Sequence, residues 1–188
     1  MVDWRPIVGV IPPLTEAQWL ATFAEYQQYP EYQKINQGMD LAGFKQIFLF
    51  EYLHRVLGRL IGLMYFVPLV IFALRKMIAP QLLPTLILLL ILGAAQGLLG
   101  WYMVKSGLVD RPSVSQYRLT AHLGVAVAIY ALMMWLVLRV SSGLSPALKH
   151  ISGWGWVLVV GIYTLILSGG FMAGTDAGFA YPTWPMMG

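Results

Sequence analysis

The feature that most constrains this chain is a series of four long apolar segments, roughly 47–74, 82–104, 117–140 and 153–173. A bilayer core of about 30 Å needs about 20 apolar residues in a helix, and each segment meets that length. Backbone polar groups in hydrocarbon must be bonded within the protein, which leaves helices or closed barrels. Unbroken apolar runs of this length fit helices. The connections are short, so neighbouring spans run antiparallel. The expected fold class is therefore an all-α integral membrane protein, an antiparallel four-helix transmembrane bundle. Composition agrees: 59% of the 188 residues are hydrophobic and 11% are charged, against about a quarter charged in soluble domains. There is no cysteine, which excludes disulfides, thiolate metal sites and redox dithiols.

The organisation follows from these spans. Residues 1–46 read as an extracytoplasmic loop segment with short interfacial helices, punctuated by Pro6, Pro12, Pro13 and Pro30. Thr15 followed by Glu16-Ala-Gln-Trp-Leu-Ala-Thr-Phe-Ala-Glu-Tyr predicts a capped helix, with Trp19, Phe23 and Tyr26 on one apolar stripe. That stripe either lies on the membrane surface or forms a lid over a site in the outer leaflet. A second helix is expected from about Asp40 straight into the first span, with Pro68 as a kink. Residues 47–140 hold three spans, 141–152 a cytoplasmic loop, and 153–188 the fourth span.

Charge is uneven along the chain. The net formal charge is +4, yet the first 51 residues hold three basic and six acidic side chains. The loops around Arg75-Lys76 and Arg139 to Lys149 hold only basic ones. Raw Lys/Arg counts do not decide the orientation, but the acidic segment points outward. No signal peptide or apolar run within residues 1–45 carries them across, so a preceding span is expected. No polybasic run interleaved with aromatics occurs, which argues against nucleic-acid binding.

Chemistry concentrates where the first span begins. Glu51, His54 and Arg55 stand at i, i+3 and i+4 on one side of a helix, and ionisable groups at a membrane helix are functional candidates. Gly58 and Gly62 lie one and two turns below His54 and leave a groove beside it. His122 stands one turn inside the third span, which runs parallel to the first, so the two histidines share a leaflet and a depth. Between them lies a second span carrying Gly93, Gln96, Gly97 and Gly100, a face that admits a neighbouring helix or a flat ligand. Two such imidazoles suit axial ligation of a planar macrocycle; the plainer reading is that each bonds a neighbouring helix. Glu51 either forms an ion pair with Arg55 or handles protons one turn from His54. Arg55, Lys105, Arg111 and Arg118 gather on one side, as partners for ligand carboxylates or as snorkelling cations, the latter preferred for Arg111. His150 sits in a basic loop and reads as solvated. No His-Glu-x-x-His, no set of membrane carboxylates for a di-iron site and no Gly-x-Ser-x-Gly elbow is present.

Several stretches resemble the haem A synthase family of cytochrome-oxidase biogenesis. They are Phe44-Lys-Gln-Ile-Phe with Glu51-Tyr-Leu-His54-Arg55-Val-Leu-Gly58-Arg59, Gln96-Gly-Leu-Leu-Gly-Trp-Tyr-Met-Val-Lys105, Val114-Ser-Gln-Tyr-Arg118-Leu-Thr-Ala-His122, and Ser168-Gly-Gly-Phe-Met-Ala-Gly-Thr-Asp176 with Tyr181-Pro-Thr-Trp-Pro. Trp4-Arg-Pro and Pro30-Glu-Tyr-Gln-Lys fit as well. The type without a cysteine pair in the first outer loop, alphaproteobacterial and mitochondrial, fits best.

The resemblance implies an eight-helix protein of two similar four-helix halves, which oxidises a ring methyl of haem O to a formyl group, giving haem A. It implies His54 and His122 as axial ligands of the substrate haem iron, Glu51 as the catalytic carboxyl, and Arg55, Lys105 and Arg118 as contacts to propionates or the covering loop. A haem b cofactor belongs to the second half. The ends, with Trp4 and Trp184 as equivalent repeat positions, suggest a piece covering helices two to five, in which the fourth span could take the place of a first helix.

Implied partners are haem O, an electron donor, haem O synthase, oxidase assembly factors and the lipid bilayer; a homo-oligomer is compatible. The implied location is a bacterial inner membrane, the alternative being the mitochondrial inner membrane. The functional alternative is a bis-histidine b-type cytochrome subunit that carries electrons without altering its haem.

Overall fold

The computed structural model describes residues 11–107, 113–141 and 153–180. They form α1 (Glu16–Tyr26), α2 (Pro30–Lys34), α3 (Leu41–Leu74), α4 (Leu83–Gly107), α5 (Gln116–Ser141), α6 (Gly153–Gly174) and α7 (Ala177–Ala180), with no strand among the described residues. Four of these helices, α3 to α6, are long and apolar enough to cross a membrane. The protein is a multi-pass, all-α membrane protein, as the apolar segments predict. The chain divides into two compact units. One holds α1, α2, α3 and the two ends of α4; the other holds the middle of α4 with α5, α6 and α7.

In the first unit, local chemistry fixes each helix start. Thr15 Oγ1 accepts from the Gln18 amide at 3.3 Å, and Gln18 Oε1 accepts in return from the Thr15 amide at 3.2 Å. This reciprocal capping box satisfies donors that a helix start leaves open. Pro30 does not break the chain but begins α2, at the first-turn position where proline's missing N–H costs nothing. Asp40 caps α3 by accepting from the Gly43 amide at 2.8 Å, so the second short helix and the first span are one 34-residue helix.

That helix is about 51 Å long at 1.5 Å per residue. Pro68 lies inside it. Its end carries Lys76 at φ 54°, with the Met77 amide donating to the Phe72 carbonyl at 2.9 Å and the Lys76 amide to Ala73 at 3.0 Å. This double closure is the one glycine usually makes.

The aromatic stripe of α1 faces protein. Tyr26 and Phe44 are 3% and 1% exposed, and with Phe48 they form a core that Trp19, Phe23, Tyr32 and Tyr52 surround. Trp19 meets Phe48 edge-on at 4.9 Å, and Phe44 lies 5.1 Å from both Phe23 and Tyr26. Lys45 places its ammonium 5.3 Å from the Trp19 ring. The stripe expected to lie on the membrane, or over a ligand, is thus spent on docking α1 to the start of α3. Lower down, Tyr65 on α3 donates to the Leu86 carbonyl at 2.9 Å.

In the second unit, α5 and α6 pack closely through small residues, which suits a bilayer, where lipid removes the hydrophobic drive and close backbone approach supplies the attraction. A Cβ on Gly174 would stand 2.6 Å from Gln116 Cα, one on Gly170 3.0 Å from Thr120 Oγ1, and one on Gly124 2.9 Å from Leu167 Cδ2. The α4 segment joins α5 through Gln96. The contacts of α6 fall on the Gln116, Thr120 and Gly124 side of α5, about a third of a turn or more around the axis from His122. The fourth span thus packs on a face of α5 turned away from His122. The repeat comparison of Trp4 with Trp184 lies outside the described residues.

Candidate functional site

Helix length sets the depth of the site. Arg75 ends α3, and a cation pair there marks one lip of the bilayer. Counting back about 20 residues, the thickness of a bilayer core, reaches Arg55. Glu51, His54 and Arg55 therefore stand at the opposite lip, with the aromatic module above them and Arg59 one turn inside.

Arg55 and Glu51 form an ion pair, Nη2 to Oε1 at 3.7 Å, with side chains 18% and 28% exposed. The simpler of the two readings of this spacing is realised. The pair leaves the Glu51 carboxyl about one helical turn from His54. His54 itself is exposed. On the same flank, a Cβ added at Gly58 or Gly62 would meet nothing within 4 Å. The imidazole therefore stands over an open strip of helix backbone, a surface on which a flat macrocycle fits.

A second carboxyl approaches this cluster, and the sequence reading passed over it. Asn36 Nδ2 donates to the Tyr26 hydroxyl at 2.8 Å, and that hydroxyl donates to Glu31. Burial pushes the Glu31 carboxyl up from its ordinary range and the negative charge of Glu51 adds to the rise, while the Tyr26 hydrogen bond opposes it. Burial likewise raises Tyr26, against the opposing bond from Asn36. Only the folding of α2 brings Glu31 within electrostatic reach of Glu51, which no spacing along the chain reveals.

In the second unit, Gln96 Nε2 donates to the His122 backbone carbonyl at 2.8 Å. The glycine-faced span thus fixes the α5 backbone at the histidine, using the second lone pair of a helical carbonyl. Gly93 and Gly97 on either side of Gln96 are open to a Cβ. His122 is half-buried, as is Arg118 one turn before it. Lys105 lies in the last turns of α4, but its side chain, with Arg111 and His150, is outside the described residues. No cluster of three or more His, Cys, Asp or Glu side chains able to hold a bare metal ion occurs among the described residues.

A family model described as cytochrome oxidase assembly protein matches residues 1–188. The chain belongs to that family. It is 49% identical over 192 residues to the haem A synthase of Nitrosospira multiformis, 50% over 197 residues to that of Nitrosomonas eutropha, and 46% over 195 residues to that of Rhodospirillum centenum. Each match takes in 100% of this chain but 54%, 54% and 51% of the relative. The chain thus spans about half the length of the curated relatives it matches. No solved structure matches it. Within the family, the Glu51-x-x-His54-Arg55 stretch of this member is ordered by an ion pair along α3, and His122 by a hydrogen bond from the neighbouring span.

Proposed function

We propose that this chain carries the substrate-haem half of a haem A synthase, which oxidises a ring methyl of haem O to a formyl group through hydroxylation, for cytochrome c oxidase biogenesis. In this reading His54 and His122 supply the axial imidazoles, and Glu51 is the catalytic carboxyl. Lys105 and Arg118 meet the propionates or the covering loop. Arg55, engaged by Glu51, aims that carboxylate. The bound haem supplies the iron, and the chain's own residues orient it and set the charge beside it. Glu51 offers a fixed negative charge or a proton acceptor within one helical turn of His54. The aromatic module above the lip excludes water from that side.

The observation that carries the reading is His54 standing exposed over the open glycines of α3 beside the Glu51–Arg55 pair. The relatives' names favour a synthase over an electron-carrying cytochrome subunit, and their hosts favour a bacterial inner membrane. A haem b site, an electron donor, haem O synthase and oxidase assembly factors belong to the same proposal.

The test is an optical spectrum of the purified protein supplied with haem, followed by pigment extraction and mass analysis. A Soret band that His54→Ala or His122→Ala abolishes is the expected result. Glu51→Gln keeps the band but yields no oxidised haem. No Soret band in the wild type overturns the reading, and Glu51→Gln with undiminished haem A formation removes Glu51 from catalysis.

A further inference from the structure

The charges on α3 do not balance. Its sequence from the site downward holds Glu51 against Arg55 and Arg59. Glu51 is taken by Arg55 at 3.7 Å. Arg59 lies one turn deeper, inside the hydrocarbon region by the length argument above, and its Nη1 is buried with no hydrogen-bond partner. A guanidinium is charged at every accessible pH, and an intramembrane charge is costly unless an opposite charge meets it. Beyond Glu51, the described residues of the first unit from Leu41 to Val104 hold no acidic side chain. No described side chain along that stretch supplies the counter-charge, and a bound anion would.

Helix geometry says where that charge would sit. At about 100° per residue, Arg59 is about 140° around the axis from His54, and Gly58 and Gly62 lie between them at about 40° and 80° from His54. Both glycines are open, with nothing within 4 Å of an added Cβ. Side chains on a helix lean toward its N-terminus, so the Arg59 guanidinium reaches back toward the level of the glycine strip. A flat group resting on that strip, with His54 at one edge, meets Arg59 at the other.

We infer that Arg59 is the anchor for a carboxylate of the bound porphyrin, so that His54, the Gly58–Gly62 strip and Arg59 together set which edge of the macrocycle faces inward along α3. This rests on the proposal that the chain binds haem at His54. It moves to Arg59 the acid-binding role expected of Arg55, whose guanidinium the ion pair engages. Bidentate pairing of guanidinium with carboxylate is directional, so the contact orients the ring as well as holding it. Arg59 is a binding residue here and takes no part in proton transfer.

The experiment is a Soret titration of the full chain in neutral detergent, with haem and separately with haem dimethyl ester, whose carboxylates are blocked. The wild type binds haem more tightly than the ester. Arg59→Gln weakens haem binding by about tenfold, the scale of one charge-assisted bond, and leaves ester binding within about twofold of wild type. Arg59→Lys, which keeps the charge but loses the planar fork, falls between the two and guards against a folding defect in the glutamine variant. Equal affinity of the wild type for haem and ester, or equal losses for both in Arg59→Gln, overturns the assignment to Arg59. Failure of the wild type to bind either compound overturns instead the haem reading on which it rests.

Discussion

Glu31 shows how a single side chain can join the outer segment to the site. Its carboxyl accepts from the Tyr26 hydroxyl inside the aromatic module and feels the charge of Glu51. Its affinity for a proton is higher when folded than the ordinary value of 4.5, burial being the main cause. The sign follows from proton linkage. A group that holds its proton more tightly when folded contributes stability below its unfolded value, and that contribution is lost as pH rises through the folded value. Docking of α1 and α2 on α3 should therefore weaken as pH climbs above the ordinary glutamate range, and Glu31→Gln should remove that dependence. Thermal unfolding in detergent at several pH values checks this. The wild-type melting temperature, relative to that of Glu31→Gln, should fall with rising pH, and a constant difference across the range would sink the idea. Tyr26, also raised, acts in the same direction only in alkali.

At the scale of elements, the glycines divide into two kinds. Gly174 is pressed against the backbone of Gln116, where an added methyl would stand 2.6 Å from Cα. Backbone cannot swing aside, so Gly174→Ala should separate α5 from α6 and cost about 1–3 kcal/mol, the usual range for overpacking. Gly124 faces the ends of the Leu167 and Tyr163 side chains, which can move, so Gly124→Ala should cost less. Gly58 is open, so alanine there should gain up to about 1 kcal/mol of helix propensity while lowering haem affinity if the strip is a binding surface. Thermal unfolding with and without haem ranks the three; Gly174→Ala as mild as Gly58→Ala would refute the division.

The same elements show what could be read in advance. The spans, the Thr15 cap and the Glu51–Arg55 spacing are local patterns, and each was legible. The helix α2 is not, because a proline reads as a breaker, whereas Pro30 occupies a helix start. The stripe of α1 was legible, but not what it meets, since amphipathicity does not distinguish lipid from Phe44 and Phe48. Glu31 and Arg59 have no site role in the sequence reading for a related reason: the significance of each depends on what its neighbours are already bonded to.

For the whole molecule, the absence of cysteine makes the membrane topology directly testable with single introduced cysteines. Arg75 and Lys76 follow α3 at once, and Arg139 lies in the last turn of α5. Cations at a lip gain about 1 kcal/mol each beside the anionic cytoplasmic leaflet. The sequence before α3 carries Asp3, Glu16, Glu25, Glu31 and Asp40 against Arg5 and Lys34, and that leaflet disfavours an acidic excess. Both effects orient α3 with its aromatic module outside and Arg75 inside. If each membrane-length helix crosses once, the ends then alternate. Gln37→Cys and Ser113→Cys should react with an impermeant maleimide on intact cells or right-side-out vesicles. Met77→Cys and Ser141→Cys should react only after permeabilisation. The pattern bears on function as well as topology, because the Glu51–His54 site would open toward the outer lip, and under the proposed function its oxidant and reductant would reach it there or through the bilayer. Labelling of Met77→Cys with protection of Gln37→Cys would invert the protein and move the site to the cytoplasmic side. Labelling of Gln37→Cys and Met77→Cys together from outside would show that α3 does not span.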